Sequence, residues 1–112
     1  MFYLQKTIEV SFAHQLSLPY PSQCTNLHGH NGIITIYCKT KELNNEGMVI
    51  DFQQIKKIVK ESLDHKNLNE TLPFQPTAEN IARWLCMQIP CCYKVSLQES
   101  EGNIAIYERD DI

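Results

Sequence analysis

Four histidines carry most of the chemical potential of this 112-residue sequence: His14, His28, His30 and His65. His28 and His30 stand two apart, so in an extended strand both imidazoles point to one face. His14 ends an earlier alternating segment and shares the parity of its apolar residues. If the two segments pair as a hairpin, the third imidazole reaches the first two. Three neutral imidazoles at about 2.0–2.1 Å suit Zn²⁺ and leave one coordination position open, as catalytic zinc sites do. The competing reading of His28-Gly29-His30 is a turn with two incidental histidines.

Cys24 lies four residues before His28 and admits two functional readings. As a fourth zinc ligand it would close the site and make the metal structural. As a thiolate near the metal it would act as base or nucleophile. Asp64-His65 sets a carboxylate beside an imidazole, the pairing of general acid–base dyads, although such a dipeptide also occurs in ordinary surface loops. Glu99 shares the parity of Tyr93, Val95 and Leu97, so it faces where apolar residues face. A carboxylate there must be paired or meet a ligand donor.

The elements that must position these groups are legible in the hydrophobic pattern. Residues 3–13 alternate, with Leu4, Ile8, Val10 and Phe12 on one parity, and read as a half-buried strand. Residues 17–26 are rich in turn formers. Residues 28–40 form a second strand, with Ile34, Ile36 and Cys38 on one face. After a turn at 41–48, Asp51 reads as an N-cap, with Gln54 three residues on in the manner of a capping box. The helix that follows carries Phe52, Ile55, Ile58, Val59 and Ser62 on one stripe. Leu63 to Pro76 reads as a long loop, of a kind often functional in compact domains. Thr77 caps a second helix with Ile81, Leu85 and Ile89 at spacing four, stopped by Pro90. Two strands, 93–99 and 103–108, close the chain around a Ser100-Glu101-Gly102 turn. Four strands and two helices leave one sheet face and both edges open, for which oligomerisation is the natural remedy.

Composition narrows the function further. Residues 1–112 suffice for a single domain and a modest core. A net charge of −3 with dispersed Lys and Arg argues against a nucleic-acid binder. No apolar run approaches the roughly 20 residues that span a bilayer. Met1 to Val10 alternates and does not read as a signal peptide. Five cysteines without framework spacing read as reduced thiols of a cytosolic protein. Cys38 and Cys86 fall on apolar stripes, and Cys91 and Cys92 are assigned no role.

Taken together, these residues resemble the 6-pyruvoyl/6-carboxytetrahydropterin synthase family. The resemblance rests on Phe12-Ala13-His14, Cys24-Thr25-Asn26-Leu27-His28-Gly29-His30, Val49-Ile50-Asp51-Phe52, Leu63-Asp64-His65-Lys66-Asn67-Leu68, Pro76-Thr77-Ala78-Glu79-Asn80, and Glu99 followed by Asn103 to Tyr107. It implies the α+β tunnelling fold, a four-stranded antiparallel sheet with two helices on one face. Trimers would form a barrel, two trimers a hexamer, and active sites would lie between subunits. It also implies that His14, His28 and His30 bind Zn²⁺, and that Cys24 is the catalytic thiol. Asp64 and His65 would complete a proton-transfer triad, reaching in from a neighbouring subunit. Glu99 would anchor the pterin through two parallel donors on its ring, and Thr77 would touch it. The implied substrate is 7,8-dihydroneopterin triphosphate. The three residues between Cys24 and His28 resemble the branch giving 6-carboxytetrahydropterin with loss of acetaldehyde and triphosphate, on the route to queuosine and related deazapurines. Residues 63–68 resemble equally the branch that eliminates triphosphate to give 6-pyruvoyltetrahydropterin. Lys39, Lys41, Lys66 and Arg83 are the candidate partners of the triphosphate. A non-catalytic zinc-stabilised module is the reading from another class.

Overall fold

The computed structural model describes residues 1–112. Two long strands, β1 (Phe2–His14) and β2 (His28–Thr40), pair antiparallel along their whole length, from Phe2 opposite Thr40 to His14 opposite His28. Their alternation sorts side chains cleanly. Ile8, Val10, Phe12 and His14 are buried, as are Ile34, Ile36 and Cys38 of β2. β4 (Cys92–Ser100) pairs with β2, and β5 (Asn103–Glu108) forms the far edge.

Helices α1 (Phe52–Leu63) and α3 (Ala78–Gln88) join the buried sheet residues in one core. Asp51 caps α1 by accepting from the Gln53 N–H, but the reciprocal Gln54 bond of a capping box does not form. α1 buries Ile55, Val59 and Leu63, whereas Phe52 stays exposed beneath the Lys6 ammonium. Thr77 caps α3 by accepting from Asn80 N–H, and Ile81, Ala82, Leu85 and Cys86 are buried.

The sheet has five strands and not four. The extra one, β3 (Lys66–Asn67), runs parallel to β1 opposite Phe12 and Ala13, so the sheet is not wholly antiparallel. A short α2 (Leu68–Thr71) follows, making three helices, with Asn67 as its cap. Both lie inside the segment read as a loop. They form because His65 N–H reaches Ser11 O at 2.6 Å and Leu68 is buried completely. A second departure concerns β4. A register shift between Tyr37 and Cys38 places Cys92, not Tyr93, in the core. Tyr93 turns away to meet the edges of Tyr3 and Tyr37.

The opposite face of the sheet is uncovered, with Ile33, Ile104 and Ile106 all exposed. The radius of gyration, 14.8 Å, exceeds the about 13 Å of a compact chain this long, as an open two-layer arrangement requires. Gly32 lies where no side chain fits. A Cβ there would stand 2.9 Å from the Phe12 ring and 3.4 Å from Leu97 Cδ1. Gly32→Ala is therefore expected to cost about 1–3 kcal/mol by overpacking. A calorimetric melting temperature equal to wild type would contradict this.

Candidate metal centre and its surroundings

The hairpin register brings three imidazoles together. His14 and His28 are direct partners and His30 follows on the same face. Their ligand nitrogens all lie within 4.8 Å of one another, and ring centroids are 4.6–5.0 Å apart. Main-chain oxygens set the tautomers. His14 Nδ1 donates to Pro76 O at 2.6 Å and His28 Nδ1 to Asn26 O at 2.7 Å. The Nε2 lone pairs of both rings are thereby left free.

The donor set fits a tetrahedral cation. His14 Nε2 and His30 Nε2 are 3.1 Å apart, close to the about 3.3 Å edge of a tetrahedron with 2.0–2.1 Å metal–nitrogen bonds. Glu99 sets one carboxylate oxygen 3.7 Å from His14 Nε2 and the other 3.7 Å from His30 Nε2. Lone pairs and a carboxylate converging in a half-buried space repel one another, and a cation relieves that repulsion. Burial above all holds His30 below the usual imidazole range. Its histidine neighbours add to this and Glu99 opposes it. The ring is thus kept neutral, the form that ligates a metal.

Cys24 sits in a single 3-10 turn, Gln23–Thr25, capped by Ser22 Oγ and fastened by Leu16 N–H donating to Cys24 O at 2.7 Å. It is exposed, and its sulfur falls outside the imidazole cluster. Three other thiols, Cys38, Cys86 and Cys92, are buried. Hydrogen bonding to Cys38, together with burial, pushes the Cys92 thiol up to about 12, and contact with Cys92 and burial raise Cys86 as well. Cys86 and Cys92 stay protonated.

Glu99 also lines a cleft of about 480 Å³ with Ala78, Glu79, Asn103 and Ile104, at the start of α3. Thr77 stands at the same helix start, next to the Pro76 that holds His14, with its hydroxyl hydrogen uncommitted.

Asp64 and His65 lie elsewhere in the chain's own geometry. Asp64 Oδ1 accepts from Ser11 N–H at 2.8 Å, and His65 Nε2 is 3.5 Å from Asp64 Oδ2. The His65 backbone is left-handed at φ 57° and its imidazole is 82% exposed. It borders a second cleft of about 480 Å³ over Ser11, Phe12, Ala13, Gly29, His30 and Asn31. Ser11, Ala13, Gly29 and Asn31 have the parity opposite to that of the imidazoles, and of the three ligand histidines only His30 borders this cleft, so the Asp64–His65 pair stands at the sheet edge outside the three-imidazole cluster. Sequence reasoning missed the groups that orient the site, Pro76 O, Asn26 O and Ser11 N–H, because backbone atoms carry no residue signature.

The Ser11 N–H, followed by His65 and Lys60, holds the Asp64 carboxyl below its usual range. The folded chain therefore favours ionised Asp64 more than the unfolded chain does. Its stabilisation is present in full above the unfolded pKa of about 3.9 and is lost as pH falls through the lower folded value. The melting-temperature gap between wild type and Asp64→Asn is expected to be largest near pH 7 and to close in acid below about pH 3. A gap independent of pH would count against this electrostatic role.

Comparison with known proteins agrees with this arrangement. Residues 3–110 match the family model described as 6-pyruvoyl tetrahydropterin synthase. A Bacillus subtilis 6-carboxy-5,6,7,8-tetrahydropterin synthase is 26% identical, with 95% of this chain and 84% of that protein aligned. A Dictyostelium discoideum 6-pyruvoyl tetrahydrobiopterin synthase is 31% identical, covering 76% of this chain and 73% of the relative. The Caenorhabditis elegans 6-pyruvoyl tetrahydropterin synthase structure superposes with a TM-score of 0.77 at 25% identity, covering 97% of this chain and 96% of that one. With nearly the whole chain matched and the three-imidazole hairpin in place, this protein belongs to the 6-pyruvoyl tetrahydropterin synthase family.

Proposed function

We propose that this chain is a zinc-dependent lyase that converts 7,8-dihydroneopterin triphosphate to 6-carboxy-5,6,7,8-tetrahydropterin, releasing acetaldehyde and triphosphate. The observation that carries this reading is the open three-nitrogen site, with tautomers fixed by Pro76 O and Asn26 O and no sulfur in the cluster. The three residues between Cys24 and His28 favour the carboxy product over the 6-pyruvoyl one.

His14, His28 and His30 would hold the zinc, which when bound supplies Lewis acidity toward the substrate's side-chain hydroxyls. Cys24, exposed on its turn, moves a proton at the side chain or at ring carbon C6. Glu99 fixes the pterin through two parallel N–H donors, in the cleft it shares with Ala78 and Asn103, and Thr77 directly precedes Ala78 of that wall. Asp64 orients His65, which delivers or accepts a proton on the other side of the ring. Since that pair stands at the sheet edge, outside the chain's own three-imidazole cluster, the complete site takes Asp64 and His65 from a neighbouring chain. The uncovered sheet face and free edges support the same homo-oligomer, a trimer or a hexamer of two trimers.

Incubation with 7,8-dihydroneopterin triphosphate and mass spectrometry of the products tests the reaction. The expected products are the carboxypterin and acetaldehyde. The pyruvoyl product would move the chain to the other branch, and unchanged substrate with zinc bound would overturn the enzyme reading.

A further inference from the structure

The cleft beside β3 is built to receive an anion. No carboxylate lines it, and its polar wall consists of Ser11, His30, Asn31, His65, Lys66 and Asn67. Both asparagines commit their oxygens inward. Asn31 Oδ1 accepts from Ser11 Oγ at 2.7 Å, and Asn67 Oδ1 accepts from Asn69 N–H at 3.1 Å. Each Nδ2 amide is left as a donor with no protein partner. Gly29 leaves bare backbone in the floor, where an added Cβ would meet only Phe12 O, at 3.6 Å. Lys66 contributes the one full positive charge among the lining residues.

The other candidate cations are placed for different tasks. Lys39 stands nine residues along β2 from His30, about 30 Å away at about 3.4 Å per residue, with its ammonium 4.9 Å from the Tyr93 ring. Lys41 lies beyond it. Arg83 donates to Asn80 Oδ1 and faces the groove of Phe74, Trp84 and Met87. Lys60 is taken by Glu9 O and Asp64.

We propose that this cleft is a polyphosphate subsite, in which the Lys66 ammonium and the Nδ2 amides of Asn31 and Asn67 grip the anionic tail of the substrate. The proposal rests on the substrate reading above and assigns its tail. Lys66 directly follows Asp64 and His65, so the subsite accompanies that pair to whichever chain's imidazoles it serves. An ammonium and neutral amides bind polyphosphate without discriminating among the groups attached to it. Selection of the pterin is then left to the Glu99 cleft.

The test is calorimetry on the zinc-loaded wild type, Lys66→Met and Lys66→Arg, with two probes, inorganic triphosphate and 7,8-dihydroneopterin. Zinc content is measured on every sample. Lys66→Met is expected to weaken triphosphate about tenfold or more, while dihydroneopterin binding and zinc stay at wild-type levels. Lys66→Arg should recover most of the triphosphate affinity. The backbone bonds of β3 do not involve the exchanged side chain, so both variants should fold. Equal triphosphate affinity in wild type and Lys66→Met would overturn the proposal, as would parallel loss of both probes. If neither protein binds dihydroneopterin but Lys66→Met still loses triphosphate, the subsite stands and the pterin reading falls.

Discussion

Cys24→Ala is expected to keep its metal, fold and assembly while turnover falls by about 10²–10⁴-fold, the contribution typical of a positioned acid–base group. The argument is one of place. The three imidazole nitrogens converge without help from sulfur, and Cys24 rides on an exposed turn whose geometry is held by Ser22 and Leu16. Removing the thiol leaves those backbone bonds intact. The opposite assignment, Cys24 as a fourth ligand, makes the opposite forecast: weaker zinc and a lower melting temperature, because a structural zinc contributes directly to folding. Cobalt substitution reads the ligand shell itself. An intense sulfur-to-cobalt charge-transfer band in the substrate-free wild type, absent from Cys24→Ala, would show a closed site and end the catalytic reading.

The His28→Ala/His30→Ala double variant should fall from about one zinc per chain to almost none and lose activity with it. Losing even a supporting hydrogen bond to a ligand costs roughly 10–100-fold in metal affinity, and two of three ligands are far more. These two positions are better choices than His14. The His14 ring is 1% exposed and holds Pro76 O, so its removal would damage the junction with α3 as well as the site. Elemental analysis showing stoichiometric zinc in the double variant would refute the assignment.

What could be read from sequence was whatever has a period. Ile8, Val10 and Phe12 announce β1, the same parity carries His14 to the core face, and the spacing of His28 and His30 repeats it. β3 escaped because two residues have no period. Its existence depends on His65 N–H meeting Ser11 O, a contact 54 positions apart that no local pattern encodes. The same holds for Tyr93. Strict alternation assigns it to the core, and only the register shift opposite Tyr37 and Cys38 sends it to the other face. The separation of Asp64 and His65 from the imidazoles was likewise invisible, since it follows from where a loop docks on a sheet edge.

The unbroken pairing of β1 with β2 also bears on how this chain can change length. A strand alternates with period two, so one residue inserted or deleted between Val10 and His14, or between His28 and Ile34, would carry the histidines beyond it to the wrong face while the core residues held their own register. Shifting the whole strand to compensate would expel Ile8, Val10, Ile34 and Ile36 instead. Length variation near the three imidazoles is therefore confined to residues 15–27, where the chain only has to return to its starting edge. Alanine insertions scanned along the hairpin would map this boundary directly, abolishing zinc binding within the strands and sparing it in the loop.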